Sequence, residues 1–471
     1  MVLPIDFTNR MKDYLGEEYE AFIASYDAPE VKSLRLNTLA PGESLGAICN
    51  EMEKIPWCED GYIYEDLRPG KHPYHEAGAY YIQEPSAMSP VEYLGIEKGD
   101  RVLDLCAAPG GKSTQIAAKL GGEGILISNE IMPDRARILS ENIERMGVRN
   151  ALVISEDPRN ISDKFAGFFD KVLVDAPCSG EGMFRRSETA INEWSVENVK
   201  LCADRQKWIL DEAAKMLADG GVLVYSTCTF SKEEDEWQIQ HFLDRHEEFS
   251  LADMTVYDGM SKGYDDIGIR LFPHKVKGEG HFVCKLIKEK VDSSPLKVPP
   301  VCGYELGISK KDKSDLKEMI QFLNDIVNSA EDNGFLDYIE KRNIIRFKDQ
   351  VYLLPKECPS LKGIKVIRPG LHLGTILKNR FEPGHALAMS LKKEEICNYY
   401  CLNSDDLNTY KYINGETFNV EEANIHAKSV KKGNFNGWYV IFIDDFSIGW
   451  GKITNNIMKN HYPKGLRKSL K

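Results

Sequence analysis

Cys178, in "VLVDAPCSGEGMFRR", and Cys228, in "GGVLVYSTCTF", are the residues of this chain whose type and placement could do covalent chemistry. Each follows an apolar run of strand length and sits in the polar turn where that run ends. Asp175 closes the first of these runs. A thiolate is called for when a methyl group must go onto carbon 5 of a pyrimidine, which is too weak a nucleophile unaided. Sulfur attack at carbon 6 turns the ring into an enamine whose carbon 5 takes the methyl from a sulfonium; proton loss and expulsion of sulfur restore the ring. Either cysteine alone reads more readily as a small buried hydrophobe. Two of them, in polar turns at two strand ends, favour the chemical reading. The pattern leaves open which thiol attacks.

The elements that must position them recur from about Asp100. Apolar runs of strand length, "RVLDLC", "GILISNE", "ALVISED", "KVLVDAP", "GGVLVYSTC" and "HFVCKLI", alternate with helical segments such as "PDRARILSENIERMG". That alternation predicts an α/β fold with a doubly wound, largely parallel sheet. Residues 1–90 read as a small α+β module, expected to bind RNA, and 91–288 as the catalytic domain. "KEKVDSSPLKVPP" has linker composition, giving a linker over 289–300, an intermediate α+β domain over 301–382 and a β-rich domain over 383–471.

A ligand site is expected where the first run meets its helix, in "LDLCAAPGGKSTQIAAKL". Small residues allow close backbone approach, and the helix start offers unpaired N–H groups. A phosphate loop would need glycine where Cys106 stands, and no G-x-G-x-x-G occurs in this stretch. Instead Glu130, Asp157 and Asp175 close successive runs. Acids at consecutive strand ends without a diphosphate cradle suit a nucleoside carrying an amino acid, S-adenosylmethionine, with Glu130 on the ribose hydroxyls and Asp157 at the adenine edge. The competing reading makes each acid a helix cap.

The segments "SLRLNTL", "YYIQEPSAM", "LDLCAAPGGKSTQIA", "DAPCSGEGMFRR" and "VYSTCTFSKEEDE" follow one another in an order that resembles the RNA cytosine-C5 methyltransferases of the NOL1/NOP2/sun family. The resemblance spans about Arg35 to Leu286. The ending "IGWGKITNNIMKNHYPKGLRK" is similar to a bacterial subgroup that methylates 16S ribosomal RNA and carries a PUA-like domain. It implies a Rossmann-like, seven-stranded, mostly parallel core with S-adenosylmethionine as cofactor. Cys106, Ala107, Ala108, Pro109, Gly110, Gly111 and Lys112 would wrap the methionine and ribose, and Asp175 would lie between cofactor and cytosine. DNA cytosine methyltransferases keep their nucleophile in a Pro-Cys pair, which points to Cys178. In the NOL1/NOP2/sun family it is the cysteine of Thr-Cys, here Cys228, with Cys178 helping to resolve the adduct. Asp235 stands where that family more often has asparagine.

Composition bounds the rest. The 471 residues carry a formal charge of −13, against a uniformly basic coat, yet Phe446 to Lys471 holds six Lys or Arg and no acid. Phosphates respond to local charge, so ribosomal RNA or the small subunit remains the expected partner. Arg35, Asn37, Arg185 and Arg186 are candidate RNA contacts, and Trp450, His461 and Tyr462 interleave the basic tail as a docking surface. Eleven scattered cysteines without zinc-site spacing suit a reducing, cytoplasmic location with no metal. No apolar run approaches the ~20 residues of a membrane span. A monomer is expected.

Overall fold

The computed structural model describes residues 1–65, 67–290, 300, 316–328, 335–427 and 435–469. Most of the expected linker, 291–299, lies outside the described residues.

The catalytic sheet is built from β5 (Arg101–Asp104), β6 (Ile125–Asn129), β7 (Ala151–Ile154), β8 (Phe169–Asp175), β9 (Leu217–Thr227), β12 (Ile269–Leu271) and β13 (His281–Lys288). The N-terminal module supplies β1 (Ser33–Leu36), β2 (Glu53–Lys54), β3 (Gly61–Ile63) and β4 (Tyr80–Ile82) as a separate antiparallel sheet. In the catalytic sheet the order is β7-β6-β5-β8-β9-β13-β12, with β13 antiparallel to both of its neighbours and β5 to β9 parallel. These are the expected seven strands. Short strands β10 (Phe249–Leu251) and β11 (Ser261–Lys262), and the strand Val366–Arg368 further along the chain, extend the sheet to ten.

Parallel strands are covered on both faces, which is why β7 reads as an unbroken apolar run, β6 is apolar up to Ser128, and both are buried throughout. The helix Pro133–Arg145 shows how a covering helix forms: proline in its first turn, Asp134 near the N-terminus, Arg145 at the C-terminus, and Ala136, Leu139 and Ile143 on the buried face. The chain runs outward from β5 through β6 and β7, then returns to lay β8 and β9 on the other side of β5. A crevice opens at the carboxyl ends where this order reverses.

Helices Ile5–Leu15 and Tyr19–Ser25 pack against the segments that follow β8 and β9. Phe7 meets Phe184 edge-on at 5.1 Å between centroids, and Phe22 meets Phe230 at 5.2 Å. The C-terminal half holds a four-stranded antiparallel sheet within 344–383 and a six-stranded sheet within 398–460. The strand Val366–Arg368 pairs antiparallel with β7, covering an edge that would otherwise expose unpaired backbone groups. Ser44 and Tyr74 of the first module donate hydrogen bonds to Asp445 (2.6 Å) and Asp444 (2.7 Å) of the last.

The tail corrects one expectation. Trp450 and Tyr462 are buried, with the Trp450 indole N–H donating to the Gly384 carbonyl at 2.8 Å, so neither serves a docking surface. Lys468 is paired with Glu76 at 2.8 Å. An indole and a phenol bury large apolar area once their polar atoms find partners, here Gly384 for Trp450 and Glu76 for Tyr462.

Candidate active site

At the end of β5 the chain passes through Leu105 to Gly110 before the helix Gly111–Leu120 begins. Gly110 has φ of 115°, a left-handed conformation that favours glycine at the turn into the helix. Asp104 is fully buried; Ser113 Oγ donates to its Oδ2 at 2.7 Å while Oδ1 has no partner among the described residues. Burial pushes this carboxyl up to about 7, against the Ser113 bond.

Glu130, just after β6, is also buried and aims its carboxylate at the same crevice. Its Oε1 accepts from the Met132 N–H at 3.0 Å and its Oε2 lies 3.3 Å from Arg135. A cavity of about 790 Å³ opens here, lined among others by Cys106, Glu130, Ile131, Pro158, Asp175 and Cys178. That size holds a nucleoside with an amino-acid arm. Ile131 and Met132 are half-exposed apolar side chains on its wall, suited to the faces of a flat base. Asp157 is exposed, and its Oδ1 accepts from the Arg159 N–H at 2.9 Å as the cap of the helix Pro158–Phe165. Its neighbour Pro158, and not Asp157, lines the cavity.

A second cavity, of about 330 Å³, lies against the first and shares Cys106, Ala108, Asp175, Ala176, Met183 and Cys228 with it. Its wall includes Ala107, Pro109, Gly111, Lys112, Arg186 and His281. Lys112 therefore faces this side, where its Nζ donates to Asp175 Oδ2 at 2.7 Å. Ser226 Oγ donates to the other oxygen at 2.7 Å, and His281 Nε2 is 3.9 Å away. Burial alone would raise the Asp175 carboxyl, but Lys112, His281 and the two hydrogen bonds hold it below its usual range. Burial would likewise lower the Lys112 ammonium, yet Asp175 keeps it above the ordinary lysine value. The site thus keeps a fixed ion pair beside a thiol.

The thiols meet because β8 and β9 are parallel neighbours in the register Asp175 to Ser226, so the turns beyond them leave the sheet side by side. Cys178 Sγ and Cys228 Sγ are 3.3 Å apart, and the Cys228 N–H points to Cys178 Sγ at 3.4 Å. The hydrogen bond with Cys228, together with burial, holds Cys178 well above the ordinary thiol value, so it stays protonated. Two buried carboxylates clasp the turns from opposite directions. Glu181, after Cys178, accepts from the Phe230 N–H (2.7 Å), Ser231 Oγ (2.7 Å) and the Trp194 indole (2.9 Å). Glu234, after Cys228, reaches back to the Ser179 N–H (3.0 Å), Ser179 Oγ (2.5 Å) and Gln206 Nε2 (2.8 Å).

Three expected RNA contacts are corrected. Arg35 is 1% exposed and spends its guanidinium on Gln83 Oε1 (3.1 Å), the Gly111 carbonyl (3.0 Å) and Thr114 Oγ1 (2.9 Å). Asn37, 2% exposed, donates to the Gly78 and Met146 carbonyls. Strand β1 is covered by the catalytic domain on the face that alternation alone would leave to solvent. Arg185 is buried against Glu279 at 2.6 Å and the Ser25 and Gly278 carbonyls. Arg186 remains at the rim of the second cavity, with Glu279 3.2 Å away. Sequence reasoning missed Glu181, Glu234 and His281; the first two lie inside the quoted cysteine segments, but no local pattern says that they clasp each other's turn. Among the described residues no group of three or more His, Cys, Asp or Glu is placed to hold a metal ion, and no helix is long and apolar enough to cross a membrane.

A doubly wound sheet whose switch point presents a buried glutamate and a nucleoside-sized cavity defines the class of S-adenosylmethionine-dependent methyltransferases. Four known families match successive stretches: the N-terminal domain of 16S rRNA methyltransferase RsmF at residues 3–85, 16S rRNA methyltransferase RsmB/F at 91–287, the RsmF first C-terminal domain at 322–391 and the methyltransferase RsmF PUA domain at 399–468. Ribosomal RNA small subunit methyltransferase F of Vibrio campbellii is 33% identical over 463 residues, 95% of this chain and 93% of that one. Its counterpart from Erwinia tasmaniensis is 31% identical, covering 98% and 96%. A methyltransferase homolog protein from Pyrococcus horikoshii aligns with TM-score 0.54 and 28% identity, over 60% of this chain and 94% of its own. NSun6 from the same organism shares the fold, at TM-score 0.54 and 24% identity over 61% of this chain and 99% of its own. The chain belongs to the ribosomal RNA small subunit methyltransferase F family and is an S-adenosylmethionine-dependent rRNA methyltransferase.

Proposed function

We propose that the enzyme methylates carbon 5 of cytosine in 16S ribosomal RNA through a covalent bond between Cys228 and carbon 6. The observation that carries this reading is the thiol pair, 3.3 Å apart, with Cys228 on the wall of both cavities and Cys178 on the wall of the larger only. Cys106, Ala108 and Glu130, on the wall of the larger cavity, hold S-adenosylmethionine, which would supply an electrophilic methyl group when bound, while Asp157 stays the cap of the helix whose Pro158 lines that cavity. Lys112, corrected from the cofactor to the base side, donates toward the cytosine ring, and Asp175 accepts from its N4 amino edge. A base stacked in a helix hides carbon 6, so the target is flipped or unpaired before Cys228 reaches it.

Cys228 adds to carbon 6 as its proton passes to N3 of the ring, and carbon 5 becomes nucleophilic; N3 gives that proton up to solvent when the ring is restored. After methyl transfer the carbon 5 proton must leave as the Cys228 sulfur is expelled. Cys178, protonated and in contact with Cys228, is the helper thiol for that release: it hands its proton to the departing sulfur and takes up the one from carbon 5. Arg186 grips a flanking phosphate, and the N-terminal module (1–90) and PUA domain (383–471) carry the rest of the RNA on either side of the catalytic domain (91–288) and the 301–382 unit. The enzyme acts as a cytoplasmic monomer.

Replacing each cysteine separates the roles. Cys228→Ala abolishes methylation in bisulfite sequencing of the RNA and forms no adduct. Cys178→Ala accumulates a covalent enzyme–RNA band on a denaturing gel. Full methylation by Cys228→Ala with loss in Cys178→Ala would overturn the assignment.

A further inference from the structure

One ionisable side chain on the wall of the smaller cavity has no task in the reaction so far. His281 opens β13 and is 5% exposed. Its Nδ1 lies 2.8 Å from the Gly280 carbonyl. A carbonyl oxygen only accepts, so Nδ1 carries the proton and Nε2 of the neutral ring presents a lone pair. Nε2 has no hydrogen-bond partner among the described residues, and Asp175 Oδ1 lies 3.9 Å from it. Three charged groups face the ring: Lys112 from the helix Gly111–Leu120, Asp175 from β8 and Glu84 from the loop after β4. Burial, and then Lys112, hold the imidazole below its ordinary value and therefore neutral, with Asp175 and Glu84 opposing.

Two acceptors 3.9 Å apart, one a carboxylate and one an imine nitrogen, are spanned by a single donor carrying two hydrogens. An amino group about 2.9 Å from each fits between them. Cytosine has such a group at carbon 4; uracil has a carbonyl there, which would turn its own lone pairs toward both acceptors and leave His281 Nε2 buried and unpaired, Asp175 Oδ1 keeping only its bond from Ser226. We propose that His281 is a substrate-contacting specificity residue whose Nε2 accepts a hydrogen bond from the exocyclic amino group of the target cytosine, beside Asp175. This rests on the carbon 5 reading above, in which the base occupies the smaller cavity.

The test compares RNA with cytosine at the mapped target position against the same RNA with 2-pyrimidinone there, which lacks the amino group. Adduct formation is followed in the full-length enzyme, the His281→Ala variant and the His281→Gln variant, whose side-chain oxygen keeps an acceptor. The wild-type preference for cytosine should shrink roughly tenfold in His281→Ala and recover in His281→Gln. The acid limb of the wild-type rate, where the imidazole protonates and loses its lone pair, should be absent in His281→Gln. A preference unchanged by His281→Ala would overturn the proposal, even where all rates fall through misfolding, because the preference is a ratio within one protein. Failure of wild-type enzyme to form any adduct with cytosine RNA would instead strike the carbon 5 reading itself.

Discussion

Glu234→Gln should make the protein less sensitive to alkali without moving the thiols. Glu234 is fully buried, and burial pushes its carboxyl up to about 7, while its bonds from Ser179 and Gln206 work in the other direction. The protonated acid is fully satisfied where it lies. Its Oε1–H can donate to Ser179 Oγ at 2.5 Å, whose own hydrogen passes to Thr229 Oγ1 at 2.8 Å, while Oε2 accepts from the Ser179 N–H and Gln206. A glutamine reproduces that arrangement atom for atom, with NH2 in place of Oε1–H. In the unfolded chain the carboxyl ionises near its ordinary value, and in the folded chain only near 7. Its contribution to stability is therefore complete below about pH 4.3 and is lost as the pH rises to about 7, by roughly 3 kcal/mol in all. Urea unfolding from pH 5 to 8, followed by a probe in the catalytic domain, should give a Glu234→Gln minus wild-type difference that grows with pH by about 2 kcal/mol. Other buried acids are common to both proteins and cancel. Parallel curves, or a variant less stable at every pH, would refute the protonated clasp.

Two further substitutions probe the elements around the site. Arg35→Met removes two hydrogen bonds from the first module to the start of the cofactor helix and a third to Gln83 within the module, so S-adenosylmethionine should bind about tenfold more weakly by calorimetry. The salt slope of RNA binding should stay unchanged; a slope lower by about one would mean that Arg35 reaches a phosphate after all. Asp235 and Glu236 share the single buried guanidinium of Arg270, at 3.0 and 2.6 Å, and burial raises the Asp235 carboxyl despite that pairing. Asp235→Asn keeps an oxygen for Thr227 Oγ1, now 2.6 Å away, and sheds the surplus charge. It should hold or raise the urea midpoint at pH 8, whereas a loss above about 2 kcal/mol would show that the second negative charge is needed.

By itself the sequence determined the alternation of strands and helices, the acids and thiols at strand ends, and hence the chemistry they could support. Those features are local: an apolar run, a turn and a reactive side chain are legible within a few residues. Its reading failed where a residue's neighbours come from afar. Arg35 looked like a solvent-facing cation in "SLRLNTL" because alternation describes one sheet and knows nothing of the domain packed on its other face. Arg185 looked free because Glu279, its partner, is 94 residues away. Only tertiary structure decided that Cys178 and Cys228, 50 residues apart, touch; that Lys112 turns to Asp175 and the smaller cavity; and that His281 joins them. The physical reason is that β8, β9 and β13 lie side by side through long-range pairing, and side-chain partners at their ends are set by that register and not by distance along the chain.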